Sequence, residues 1–205
     1  MNAARGRPRL FDRSAALERA LKVFWEKGYE SAQLLDLTQA MGISASSFYA
    51  SYGTKEKAFC EAVDRYVDTV GVLAVKALED APTARAGLRA MLEQTVTTAT
   101  SVDAGGCLLV LGVVNPQPES RVAWEYLKKT RRKTLSLIRG RLARGVKEGD
   151  LPADTPVDDL ALHFLGLTQT ISFQARDGAS RNALRRLIAP ALAALPEAAN
   201  AHAPA

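Results

Sequence analysis

The spacing of apolar side chains constrains the fold of this chain more than any other feature. They recur every three or four residues along nearly the whole sequence, as in Leu17, Ala20, Leu21 and Phe24, which is the spacing of one face of an α-helix. No stretch shows the strict apolar–polar alternation of a half-buried strand. The sequence therefore predicts an all-α protein, and its 205 residues suffice for a buried core in one large domain or two small ones.

Residues that end and begin helices divide the first part of the chain. Gly28, Gly42 and Gly53 are placed to end three successive helices, since glycine is the preferred residue just beyond a helix C-terminus. Ser44 and Thr54 are placed to cap the helices that follow. A short helix, a tight turn at Gly42 and a second short helix form a helix-turn-helix arrangement. A three-helix bundle without a DNA-binding role needs the same turn, so the spacing alone leaves both interpretations open.

The third helix is the one predicted to enter the major groove of DNA. Its small first residues allow a close approach, with Ala45 and Ser46 where base edges would lie and Phe48 facing the bundle. Phosphate contacts are expected from Tyr49, Ser51 and Lys55. The remaining contacts predicted on these helices come from Gln33, Ser44 and Ser47.

Basic residues are concentrated in two places. The formal net charge is +5 and the isoelectric point about 9.4, which makes polyanions plausible partners. Arg5, Arg7 and Arg9 precede the first acidic residue and suit a flexible arm that reaches the minor groove; a disordered, merely solubilising terminus is the alternative. Residues 121–147 carry ten basic side chains and one acid, a pattern typical of a solvated helix face or of a non-specific DNA-binding surface.

Residues 16–59 resemble the DNA-binding domain of the TetR-type transcriptional regulators. They read ALERALKVFWEKGYESAQLLDLTQAMGISASSFYASYGTKEKAF. The matching features are Phe24 with Gly28 and Tyr29, the turn Met41-Gly42-Ile43-Ser44, the pair Phe48-Tyr49, and Thr54-Lys55-Glu56. The later helices agree in number and order with the family's effector and dimerisation domain. The resemblance implies a homodimer that binds double-stranded DNA at an inverted-repeat operator, releases it when a small molecule binds, and usually represses transcription.

Three positions depart from the pattern of that family. Gln33 stands where Ser or Thr is usual, so the second helix is expected to lack its customary cap and phosphate contact. Ala45 replaces a frequent Lys or Arg, and Ser51 a frequent His. Because charge is lost from the recognition helix, we expect greater reliance on Tyr49, Lys55 and the arm.

The chain is predicted to have four parts. They are a flexible basic arm over 1–11, a helix-turn-helix domain over 12–56, an effector-binding and dimerisation domain over 57–196, and a disordered segment over 197–205. Helices 158–174 and 181–195 are predicted to form the dimer, since each carries more apolar surface than a monomer could cover. Such pairing would set the two recognition helices about 34 Å apart, one turn of DNA.

Cys107 is the candidate sensor residue. The segment Gly105-Gly106-Cys107 resembles one found in a branch of the family that includes regulators responding to electrophiles through a cysteine. A thiol in the first turn of a helix has its thiolate favoured by the backbone dipoles. The alternative, which we favour, is a small buried side chain in an apolar helix.

The effector pocket is expected among the helices that follow Pro82. Its candidate lining residues are Cys107, Trp124, Tyr126, His163, Phe164, Thr168, Gln169 and Phe173. Each could equally be an ordinary core residue. With few aromatic side chains and almost no buried acid, a small neutral or weakly polar effector is preferred.

The composition argues against catalysis and against a membrane location. Two cysteines and two histidines cannot supply a disulfide framework or a His-rich metal site, and no cofactor motif occurs. Cys107 with His163 is the best available thiol–base pair, and the regulator is favoured over it. No run of about 18 apolar residues and no hydrophobic signal segment occur, so a cytoplasmic protein is expected.

Overall fold

The computed structural model describes residues 11–103 and 105–197. Every regular element there is helical, which confirms the predicted all-α class. The helices are α1 (Arg13–Ser31), α2 (Leu34–Met41), α3 (Ala45–Tyr52), α4 (Lys55–Tyr66), α5 (Val72–Glu79), α6 (Ala84–Ala99), α7 (Leu108–Leu111), α8 (Arg121–Glu148), α9 (Val157–Arg176), α10 (Arg181–Arg185) and α11 (Ile188–Leu192). None of them combines the length and apolar character needed to cross a membrane.

The first core is formed by α1 to α4, α7 and the beginning of α8. Phe24 and Tyr29 each approach the ring of Phe59 edge-on, with 5.1 Å between ring centroids. Leu108 and Leu127 join the same buried cluster from α7 and α8. The helix-turn-helix segment is therefore joined to the body of the protein through α1 and α4, which contact α7 and α8.

Gly28 breaks the regular helix, as predicted, although it does not end the element. Its backbone leaves the helical region at φ +73° and ψ 173°, yet α1 continues to Ser31. The Tyr29 N–H donates to the Gly112 carbonyl at 2.7 Å. A Cβ on Gly28 would lie 3.3 Å from that same oxygen. Gly28 is thus a kink at which α1 contacts the segment after α7.

The long fourth helix predicted up to Pro82 is divided. After α4, a π-helical turn spans Val67–Gly71 and leads directly into α5. A π-helical turn has more residues per turn than an α-helix, and such turns are frequent at functional sites. Val67, Val70 and Gly71 line the cavity described below, so the irregularity lies where a ligand space is found.

The second core surrounds α6, which packs against α5, α9, α10 and α11. The predicted helix 181–195 is divided into α10 and α11. Its apolar stripe consists of Leu184, Ile188, Ala191, Leu192 and Leu195, all buried within the chain. Leu187, which belongs to the same stripe, is half-buried against this core. Because α6 already packs against both short helices, a second copy of the protein would have to contact their other side.

The predicted division of the chain remains a proposal. The boundary between 56 and 57 falls inside α4, which packs against both α1 and α8. Most of the predicted arm and most of the predicted C-terminal segment lie outside the described residues, at positions 1–10 and 198–205.

Candidate nucleic-acid interface and effector cavity

The turn between α2 and α3 has the geometry of a helix-turn-helix. Gly42 ends α2 in the left-handed region at φ +68°, which glycine adopts without strain. Ser44 then caps α3, its Oγ accepting from the Ser47 N–H at 3.1 Å. The two short helices are thereby fixed by local sequence, as predicted.

The two faces of α3 differ sharply. Phe48 is wholly buried, as predicted for the inward side of α3, and its ring centroid lies 5.4 Å from that of Tyr52 with the rings tilted by 36°. Ala45, Ser46 and Tyr49 are exposed, and Tyr49 retains 53% of its surface. A helix with small uncharged residues and one aromatic on its outer face can lie close to base edges.

Ala50 belongs to this outer face and was missed from the sequence. It is exposed beside Tyr49, four positions after Ser46, and side chains spaced by four share one face of a helix. That spacing was available in the sequence. A methyl group there can contact the methyl group of thymine.

Ser47 and Ser51 are only half-exposed. The Ser47 Oγ accepts a hydrogen bond from the Ser44 hydroxyl at 3.0 Å. The Ser51 carbonyl accepts from the Arg13 guanidinium at 3.3 Å. Both serines therefore lie at the rim of the outer face rather than at its centre.

The side chain of Lys55 folds back against the protein surface rather than extending into solvent. Its ammonium lies 4.4 Å from the centroid of the Tyr29 ring and 3.5 Å from the Glu30 carbonyl oxygen. Burial lowers the pKa of Lys55. Lys57, two residues later, is exposed at the start of α4 and offers a further cation that sequence reasoning did not single out.

The cap of α2 differs from the expectation based on Gln33. The Gln33 N–H donates to the Asp36 carboxylate at 2.9 Å. An acidic side chain in the first turn of α2 thus accepts from the backbone of the N-cap residue, as in one half of a capping box. Asp36 also pairs with Lys27 at 2.7 Å, and this hydrogen bond lowers the pKa of Asp36. Gln33 itself is exposed. Arg5, Arg7 and Arg9 lie outside the described residues.

A cavity of about 260 Å³ lies in the helical body. Its wall comes from α4, α5, α6, α8, α9 and the segment around α7. Four of the eight predicted pocket residues lie on it: Cys107, Tyr126, Thr168 and Gln169. The volume is close to the lower limit for small-molecule sites, about 300 Å³.

The other four predicted pocket residues are not part of this wall, which corrects that prediction. Phe164 is wholly buried in the second core. His163 and Phe173 are exposed on the outside of α9. Trp124 packs at the edge of the first core with the Lys128 ammonium 4.5 Å from its ring centroid. Because α9 is apolar on almost every side, its sequence did not reveal which side faces the cavity.

Cys107 lies just before α7 and accepts a hydrogen bond from the buried Tyr66 hydroxyl, with 3.1 Å between oxygen and sulfur. Burial raises the pKa of the Cys107 thiol, so the expected stabilisation of the thiolate by a helix N-terminus is outweighed. The possible thiol–base pair with His163 is not formed, since His163 faces outward. Among the described residues, no group of three or more His, Cys, Asp or Glu side chains could hold a metal ion.

Hydrogen bonds connect the segment around Cys107 to α1. The Trp25 Nε1 donates to the Gly106 carbonyl at 2.9 Å, and the Trp25 ring meets Tyr66 edge-on at 4.8 Å. The Arg176 guanidinium, at the end of α9, donates to the carbonyls of Trp25 at 3.2 Å and Gly105 at 3.1 Å. Sequence reasoning missed this connection, because its partners are far apart in the chain.

Comparisons with known proteins agree with this architecture. The family model "Bacterial regulatory proteins, tetR family" matches residues 16–61. The HTH-type transcriptional repressor ComR of Escherichia coli (strain K12) is 31% identical over 95% of this chain and 93% of its own length. A cysteine mutant of the TetR family regulator CifR, solved with 26bp double-strand operator DNA, is 41% identical, covers 93% of this chain and 100% of the CifR chain, and has a TM-score of 0.89.

The helix-turn-helix on a helical body with an internal cavity defines the class of DNA-binding transcriptional regulators. More particularly, this chain belongs to the TetR family. It is accordingly a regulator of transcription and not an enzyme.

Proposed function

We propose that this protein is a homodimeric cytoplasmic repressor that binds an inverted-repeat operator and releases it when a small molecule enters the cavity. The observation that carries the proposal is the pairing of an exposed, uncharged recognition face on α3 with a cavity whose wall is hydrogen-bonded to α1. DNA binding follows from the family, and the dimer, the operator symmetry and the effector are the proposed parts.

The outer side of α9 supports a dimer. Leu162 and Phe173 lie there with 56% and 44% of their surfaces exposed. The neighbouring C-terminal helices expose the small residues Ala189, Pro190 and Ala193. Large apolar side chains exposed on α9 and small residues exposed on the last helices suit close contact with a second copy through 158–174 and 181–195.

The length of the CifR operator supports the same assembly. That protein was solved on 26bp operator DNA, whereas one recognition helix reads a few base pairs. Two helices presented by a dimer contact half-sites about 34 Å apart.

The hydrogen bonds to α1 offer a route for release. Cys107 and Leu109 line the cavity, and their neighbours Gly106 and Gly112 accept from Trp25 and Tyr29. A ligand that displaces this segment would therefore shift α1, against which α2 packs. The two recognition helices would then no longer match the spacing of the two half-sites.

Selection of bound DNA from random duplexes at physiological salt tests the proposal. We expect the purified protein to enrich an inverted repeat whose half-site centres are about 10 base pairs apart, or a multiple of this. Binding without enrichment that falls as salt rises would contradict sequence recognition. That result would favour the non-specific alternative, with the exposed Arg132 and Lys133 of α8 as the contacting surface.

The position of Cys107 favours a second candidate within the same fold, a sensor of electrophiles. Its thiol lies on the cavity wall, whereas Cys60 of α4 is not part of that wall and serves as a control. The raised pKa of Cys107 predicts that reaction is slow near neutral pH and accelerates as pH rises, because the thiolate is the nucleophile.

Cys107→Ser is expected to keep operator affinity and to abolish release by N-ethylmaleimide, a thiol-selective electrophile. Release can be followed by fluorescence anisotropy of labelled operator. Cys60→Ser should release as the parent protein does. If Cys107→Ser still releases operator at the parent rate, Cys107 is only a packing residue.

A further inference from the structure

The cavity is apolar along most of its wall and unevenly charged. Its apolar lining comes mainly from Val67, Val70, Ala74, Leu78, Ile138 and Leu165. Three basic residues also line it, Lys129, Arg131 and Lys133, against a single acid, Asp64. The lysines are exposed and Arg131 is half-buried, so the positive charge extends from solvent into the wall.

Arg131 is the unusual member of this group. One of its terminal nitrogens donates to the Leu109 carbonyl at 2.6 Å. It takes part in none of the ion pairs formed among the described residues. Burial lowers the pKa of Arg131, and the group that acts against that shift is Cys107 rather than a carboxylate. A guanidinium in this setting carries a charge that the protein itself does not neutralise.

No other group of the cavity is free to serve as the missing anion. The Asp64 carboxylate accepts from the Tyr126 hydroxyl at 2.6 Å and forms no ion pair with Arg131. Burial raises the pKa of the Cys107 thiol, which disfavours the thiolate. The wall of the cavity therefore supplies no carboxylate partner for Arg131, and an anionic ligand could take that place.

Most of the hydroxyl groups of the wall already donate a hydrogen bond within the protein. The hydroxyls of Thr95, Thr130 and Thr168 each donate to a carbonyl of their own helix. These hydroxyls can still accept a hydrogen bond from a ligand, but their own O–H groups already donate within the protein. The wall as a whole thus suits an apolar body with one negatively charged group.

We propose that the effector is an amphipathic organic anion, whose apolar part fills the cavity and whose carboxylate pairs with Arg131. This rests on the proposed effector-binding function and replaces the preference for a neutral compound drawn from composition. A guanidinium presents parallel N–H donors that match the two oxygens of a carboxylate. A neutral molecule of the same shape would leave the Arg131 charge uncompensated.

Three probes of equal chain length separate charge from shape: octanoate, octanamide and 1-octanol. Binding to the full-length protein is measured by calorimetry and by the shift in unfolding temperature. We expect octanoate to bind at least about tenfold more tightly than either neutral probe, the ratio expected for one charge-assisted pair. Octanoate should also weaken operator binding.

Variants of neighbouring arginines provide the control. Arg131→Gln should lose the preference for octanoate, Arg131→Lys should keep part of it, and Arg132→Gln, at an exposed position of the same helix, should keep all of it. Arg131→Lys also covers the case in which Arg131→Gln folds poorly.

Equal binding of octanoate and octanamide would overturn the proposal, and so would an unchanged preference in Arg131→Gln or no binding by any probe. Each of these results leaves operator selection unaffected. Failure of this inference is therefore distinguishable from failure of the proposed function.

Discussion

Replacement of Gly105 by alanine is expected to lower the free energy of unfolding by about 2–5 kcal/mol. Gly105 has φ +69°, and a Cβ there would lie 2.5 Å from the Ala175 carbonyl oxygen and 2.8 Å from its carbon. The left-handed backbone costs a residue with a Cβ about 1–2 kcal/mol, and overpacking against backbone adds about 1–3 kcal/mol. Urea unfolding followed by circular dichroism measures the change.

Gly178→Ala is the matched control for this prediction. Gly178 has φ +88°, but no atom lies within 4 Å of a Cβ built on it. It should therefore lose only the backbone contribution of about 1–2 kcal/mol. Equal losses in the two variants would show that the close approach of Gly105 to α9 is not present in solution.

The close approach at Gly105 has a functional side as well. The Gly105 carbonyl accepts from Arg176 at 3.1 Å, and the same guanidinium reaches the carbonyl of Trp25 in α1. Moving the backbone at Gly105 would strain both contacts. We therefore expect Gly105→Ala to weaken the effect of a bound ligand on operator affinity, while the helix-turn-helix itself remains folded.

The parts of the fold that were predictable are those fixed by neighbours in sequence. Gly42, Ser44 and Thr54 act on groups within a few residues, so their capping roles could be derived from the chain alone. The inward side of α3 followed from Phe48 among small residues. The break in α1 at Gly28 was also predictable, but the contact made there with Gly112 was not, because Gly112 is distant in sequence.

The cavity could be predicted only in part, for a physical reason. In an amphipathic helix, the positions of the apolar residues indicate which side is buried. The helix α9 is apolar on almost every side, and its orientation is set by packing on α6 and α8. Phe164 and Phe173 look alike in sequence, yet one is in the core and the other is exposed. The partner of Cys107, Tyr66, lies on another helix, so no spacing rule could find it.

Phe48→Ala is expected to abolish operator binding and Tyr49→Ala to weaken it, for different reasons. Phe48 is wholly buried, so its truncation leaves a cavity and costs about 3–5 kcal/mol of stability. Tyr49 is 53% exposed, and its loss should change stability by only about 0.5 kcal/mol. Its operator affinity should still fall about tenfold or more, the effect of losing one specific contact.

Comparison of these two variants distinguishes a residue that holds the recognition helix in place from a residue that contacts DNA. Phe48→Ala should unfold at lower urea concentration and lose binding to all sequences, because α3 is no longer held against α2 and α4. Tyr49→Ala should unfold as the parent protein does and lose affinity chiefly for the selected operator. If Tyr49→Ala binds operator as tightly as the parent, the outer face of α3 is not the surface that reads the bases, and the assignment of Ala45, Ser46 and Ala50 fails with it.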